Sequence, residues 1–105
     1  MLPKYKEIYI PLLRELARRG GRSKPSDKSM GKSIYEALAA YFDLTEADLD
    51  KQVFEPSNNT YRSKWKNMVR LARNDLVKKG LIGNFERGVW ELTERGRIEA
   101  GLNMP

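Results

Sequence analysis

The sequence predicts a mainly α-helical domain carrying one small β-hairpin, and three observations predict it. Apolar residues recur at spacings of three and four over 5–19, 32–42 and 61–79. Two short β-prone runs, 81–85 and 89–92, flank the turn Glu86-Arg87-Gly88. No linker is long enough to separate one domain from another, so 1–105 reads as one unit.

The elements follow in order. In 5–19 the apolar stripe is Tyr5, Ile8, Tyr9, Leu12, Leu13, Leu16 and Ala17, and Gly20-Gly21 ends it. Pro11 either kinks this helix or marks the first turn of its main part. Residues 20–31 are polar and rich in Gly, Ser and Lys, which predicts a loop. The second helix, 32–42, buries Ile34, Leu38 and Tyr41. Thr45 and Asp48 have the spacing of a capping box, opening a short helix over 46–53. Pro56-Ser57-Asn58-Asn59-Thr60 breaks the chain again. A long helix over 61–79 starts from Asn59 or Thr60 as N-cap and stops at Gly80. After the hairpin, Thr93 caps a last helix to about Ala100. A long helix running into a hairpin behind packed helices is the winged helix-turn-helix arrangement.

Composition removes several classes of function. There is no Cys and no His, so no thiolate zinc site, no Cys nucleophile and no imidazole base or ligand. No catalytic site, metal site or cofactor site is recognisable. Gly31-Lys32-Ser33 lacks the first glycine and the preceding strand of a phosphate-binding loop. No apolar run approaches the roughly 20 residues of a membrane span, and the N-terminus has no signal-peptide core, so a cytoplasmic chain without a membrane partner is expected. Twenty basic against 14 acidic residues leave a formal charge of +6, which favours a polyanionic partner over a small-molecule substrate.

The distribution of that charge says more. Projected as a helix, 61–79 places Tyr61, Trp65, Met68, Val69, Ala72 and Leu76 on one arc. Arg62, Ser63, Lys66, Asn67, Arg70, Arg73 and Asn74 fall on the opposite arc. Seven basic residues lie in this stretch against one acid, Asp75, whereas a merely solvated face mixes signs. Arg pairs with guanine and Asn with adenine in the major groove, so this face reads as a recognition surface for double-stranded DNA. Lys64 and Arg87, the latter at the hairpin tip, read as phosphate anchors. Arg22, Lys24, Lys28 and Lys32 offer further phosphate contacts, as do Ser29 or the Gly31 amide at the start of the second helix. Asp43, Glu46, Asp48, Asp50 and Glu55 either face away from the polyanion or cap and solubilise a short helix. Trp65 and Trp90 read as core, not as stacking platforms.

The run from Leu71 through Lys79-Gly80-Leu81-Ile82, followed by Arg87-Gly88-Val89-Trp90-Glu91-Leu92-Thr93-Glu94-Arg95-Gly96-Arg97, resembles the N-terminal domain of Mrr-type restriction endonucleases. The opening Tyr9-Ile10-Pro11-Leu12-Leu13-Arg14-Glu15-Leu16 is similar to that family's first helix. The resemblance implies a winged helix that directs a separate nuclease domain to DNA, in several cases methylated DNA. Nothing after Gly96 supplies such a nuclease, so no enzyme activity is expected of these residues, and the chain reads either as a domain excised from a longer parent that carries the nuclease or as a free-standing one. Two alternatives stand beside this reading. One is a winged-helix transcription regulator, disfavoured by the lack of a long dimerisation helix. The other is a winged helix that offers its basic face to an acidic protein.

Overall fold

The chain opens with a 3₁₀ turn, Tyr5–Ile8, that passes into helix α1, Tyr9–Arg18. Pro11 is the third residue of α1, where a missing N–H breaks no intrahelical bond, so it sits in the first turn of the main helix. Gly20, at φ +82°, ends α1: the N–H groups of Gly20 and Gly21 donate to the carbonyls of Ala17 and Leu16 at 3.1 and 2.8 Å. The computed structural model describes residues 1–102, so the last three of the predicted 1–105 unit lie outside the described residues.

Helix α2, Ile34–Tyr41, is capped by Ser33, whose hydroxyl accepts from the Glu36 N–H while the Glu36 carboxylate accepts from the Ser33 N–H. Asp43, at φ +52°, takes the left-handed position after α2 that glycine takes elsewhere. Thr45 and Asp48 form the predicted capping box of α3, Glu46–Leu49. Strands β2, Gln52–Glu55, and β3, Thr60–Ser63, lead into α4, Lys64–Lys78. Strands β4, Ile82–Glu86, and β5, Val89–Leu92, precede α5, Glu94–Leu102. Strand β1, Arg22–Ser23, pairs antiparallel with β5, giving a three-stranded sheet of order β1-β5-β4.

The architecture is therefore mixed, with helices plus two small antiparallel sheets, where the sequence predicted one hairpin. Five readings need correction. The short helix stops at Leu49 and not at 53, because 52–55 pair with 60–63. Val53, Phe54, Thr60 and Tyr61 are β-branched or aromatic, and Asn59 supplies the positive φ of the turn between them. Helix α4 consequently begins at Lys64, with the Ser63 hydroxyl as its cap in place of Asn59 or Thr60. Arg62 and Ser63 lie outside the helix. Tyr61, expected in the core, is 67% exposed and pairs edge-on with Phe54, while Tyr41, expected to be buried, is 55% exposed.

The core lies between α1, α2, α4 and the inner face of β4–β5. Ile8, Leu12, Leu13 and Leu16 meet Ile34, Leu38, Trp65, Val69, Ala72 and Leu76, with Ile82, Trp90 and Leu92 closing the far side. Gly96 on α5 is part of this closure. A Cβ there would come within 1.9 Å of the Leu81 carbonyl oxygen, so α5 approaches the chain beyond α4 more closely than any side chain allows. Gly96→Ala should therefore cost about 3 kcal/mol by overpacking against backbone. Thermal melts check it: a variant that melts with the parent would place α5 further away.

Tyr9 joins α1 to α4 by donating its hydroxyl to the Asp75 carboxylate. That hydrogen bond, with burial and the carboxylate charge adding to it, pushes the Tyr9 pKa up to about 12. The folded state thus holds the phenol proton more tightly than the unfolded chain, whose tyrosines titrate near 10. This contribution is complete below about pH 10 and lost as the pH rises through about 12. The stability difference between the parent and Tyr9→Phe, from urea melts, is expected to shrink across that interval. A difference constant with pH would contradict the bond.

Candidate nucleic-acid interface

Helix α4 owes its register to its ends and its buried stripe. Trp65, Val69, Ala72 and Leu76 face the core, and the Trp65 indole N–H donates to the Tyr35 carbonyl at 2.9 Å. At the far end Gly80, at φ +76°, lets the Leu81 N–H reach the Leu76 carbonyl at 2.9 Å. With that stripe fixed, Lys66, Arg70 and Arg73 fall within an arc of about 60° on one flank, and Asn67, Leu71 and Asn74 within a similar arc at the crown.

The flank overlooks an open hollow of about 400 Å³ between α4, α2, the 25–26 loop and the β4–β5 hairpin. Its floor is made by Tyr35 and Trp90, whose rings meet edge-on with centroids 6.0 Å apart. The Lys66 ammonium and the Arg70 guanidinium stand 5.5 and 5.6 Å from the Tyr35 ring centre. The Arg73 guanidinium stands 5.9 Å from that of Trp90. Asn74 and Asn84 accept from Arg73 at 3.2 and 3.5 Å. None of the three cations has a carboxylate partner among the described residues. The one acid of α4, Asp75, is held by Tyr9 on the other side of the helix.

The remaining predicted residues divide. Arg62, on β3, pairs with Glu55 across the hairpin at 3.0 Å, so its charge is locally neutralised. The Ser63 hydroxyl is taken up as the N-cap, accepting from the Lys66 N–H at 3.2 Å. Lys64 is exposed at the start of α4, and Arg87 is exposed at the hairpin tip beside Gly88. In the 22–32 segment Arg22 is bound by Glu86 and by Glu91, and Lys28 lies 3.2 Å from Glu36. The start of α2 already carries the Glu36 carboxylate, which displaces the phosphate site expected at Ser29 or Gly31. The segment is also less loose than expected: Arg19, anchored on Glu15, donates to the carbonyls of Asp27 and Lys32 at 3.1 and 2.6 Å.

Two acidic residues of the connecting region, Asp48 and Glu55, serve the fold. Asp48 is buried and accepts from the Met1 ammonium at 2.9 Å and the Thr45 N–H at 3.0 Å. These bonds, the ammonium first, hold its carboxyl down at about 2. Glu55 serves Arg62.

A family model for the Mrr N-terminal domain matches residues 5–99. The chain belongs to that family. The match covers every described strand and all of α1 to α4, and it links this Mrr N-terminal domain to restriction systems. No curated protein and no solved structure matches the chain. Among the described residues no helix is long and apolar enough to cross a membrane. No group of three or more acidic residues among them is placed to hold a metal ion.

Sequence reasoning missed Tyr35, Trp90 and Ser26 as parts of the hollow and Leu71 as part of the crown. The spacing Lys66-x₃-Arg70-x₂-Arg73 carried a usable signal, because it places three cations on one flank of any helix that buries Trp65 and Val69. Nothing in the sequence said which rings would lie beneath them.

Proposed function

We propose that this Mrr N-terminal domain is a winged helix that binds double-stranded DNA through α4 and serves as the targeting module of a restriction system. The observation that carries the reading is the stripe Lys66, Arg70 and Arg73, raised on aromatic faces and unmatched by carboxylates. Fixed cations without internal partners favour a polyanion, and a helix is the element that fits the major groove. The strand order β1-β5-β4 supports the winged-helix part, since a winged helix returns its first short strand to the last strand of the hairpin. In this reading β4–β5 is the wing, and Arg87 at its tip touches the backbone beside the groove. Lys64 anchors a phosphate at the other end of α4. The domain binds without doing chemistry, and cleavage belongs to a nuclease domain elsewhere in the parent protein.

The direct test uses one duplex in two forms, unmodified and fully 5-methylcytosine-modified. Binding of both, with a gain on methylation, assigns modification readout to this domain. Equal affinity leaves it a general DNA-targeting module. Binding to an acidic protein with no binding to either duplex would overturn the proposal.

A further inference from the structure

The hollow beneath α4 gives the cations of that helix a different task from its crown. Lys66, Arg70 and Arg73 lean over Tyr35 and Trp90, whereas Asn67, Leu71 and Asn74 stand at the crown, with Leu71 46% exposed between the two amides. Three like charges around one hollow repel each other, and aromatic faces attract cations without neutralising them. The N–H groups of Lys66 and Arg70 therefore remain available to an acceptor, while Arg73 is steadied by Asn74 and Asn84. Ser26 and Asn74 add polar groups to the lining. A nucleobase cannot stack on these rings, because cations already stand over them. A tetrahedral anion with several acceptor oxygens answers that charge and those donors.

We propose that this hollow seats a phosphate group, and that in the DNA complex the phosphate is one of the backbone. Lys66, Arg70 and Arg73 then clamp the backbone, and reading of base edges falls to Asn67, Leu71 and Asn74. The backbone assignment rests on the DNA-binding reading above, whereas the anion seat stands without it.

Two measurements keep these apart. Inorganic phosphate titrated into ¹⁵N-labelled protein should move the Trp90 indole N–H saturably, and Arg70→Gln should remove that response. The Trp65 indole N–H, bonded to the Tyr35 carbonyl, is the internal reference. The absence of a saturable Trp90 response would overturn the seat. The second measurement compares a duplex selected from a random pool with a scrambled one across a salt series. Arg70→Gln should weaken both about tenfold and lower the salt slope by about one, as loss of a phosphate contact does. Asn67→Ala should weaken only the selected duplex, at an unchanged slope. If Arg70→Gln instead erased the preference between duplexes at an unchanged slope, the division of tasks would be overturned. Phosphate binding without any DNA binding by the parent would keep the seat and overturn the DNA reading.

Discussion

Replacing Lys66, Arg70 and Arg73 together by Ala is expected to lower affinity for duplex DNA about a thousandfold. Each removes a charge-assisted hydrogen bond worth about 1.5 kcal/mol or more, and three such losses exceed about 4 kcal/mol. The fold should survive. These side chains touch the Tyr35 and Trp90 rings from the solvent side, contacts worth about 0.5–1 kcal/mol each. Circular dichroism should therefore show unchanged helix content beside the lost binding in fluorescence anisotropy. Arg62→Ala is the informative contrast. The sequence places Arg62 on the recognition face, but the Glu55 pair takes it out of play. Its loss should cost under about 1 kcal/mol of stability, as exposed pairs do, and leave affinity close to the parent's. Retained affinity in the triple variant would contradict the assignment of α4.

Trp65→Ala should have the largest effect on stability, about 4–5 kcal/mol. The indole is only 2% exposed, packs edge-on against Phe42 and satisfies the Tyr35 carbonyl. Its removal opens a cavity at the junction of α2 and α4 and deletes the hydrogen bond that ties the two helices together. For a domain of this size, whose total stability is about 5–15 kcal/mol, such a loss puts the variant near its folding limit. Chemical denaturation measures it. A loss below about 1 kcal/mol would mean that the α2–α4 junction can close over the gap.

These variants also show which regions of the fold the sequence disclosed. The stripes Leu12-Leu13-Leu16 and Val69-Ala72-Leu76 were legible because helical periodicity and burial have the same cause. The glycines after α1 and α4 were legible because the left-handed position selects for them. The β2–β3 hairpin was not read, although Val53-Phe54 and Thr60-Tyr61 around Pro-Ser-Asn-Asn carry a hairpin signal. Tyr61 happens to stand four residues before Trp65 and seven before Met68, so the helical period absorbed it. The same period places Arg62 and Ser63 on the helix, whereas they lie on β3 and at the N-cap of α4. Asp43 is legible in the sequence only as one of a run of acids, while its work is conformational, ending α2 at positive φ. Within the site, the cations of α4 followed from spacing alone. Tyr35 and Trp90 come from α2 and β5, and only the tertiary packing brings their rings beneath α4.

The measurement that most directly tests the central claim is binding of the parent domain to a short duplex across a salt series. The account predicts tight binding at low salt, with log K falling linearly against log salt at a slope of roughly 3 to 5, from the three flank cations with Lys64 and Arg87. No binding to duplex at low salt, with the domain folded, would contradict it.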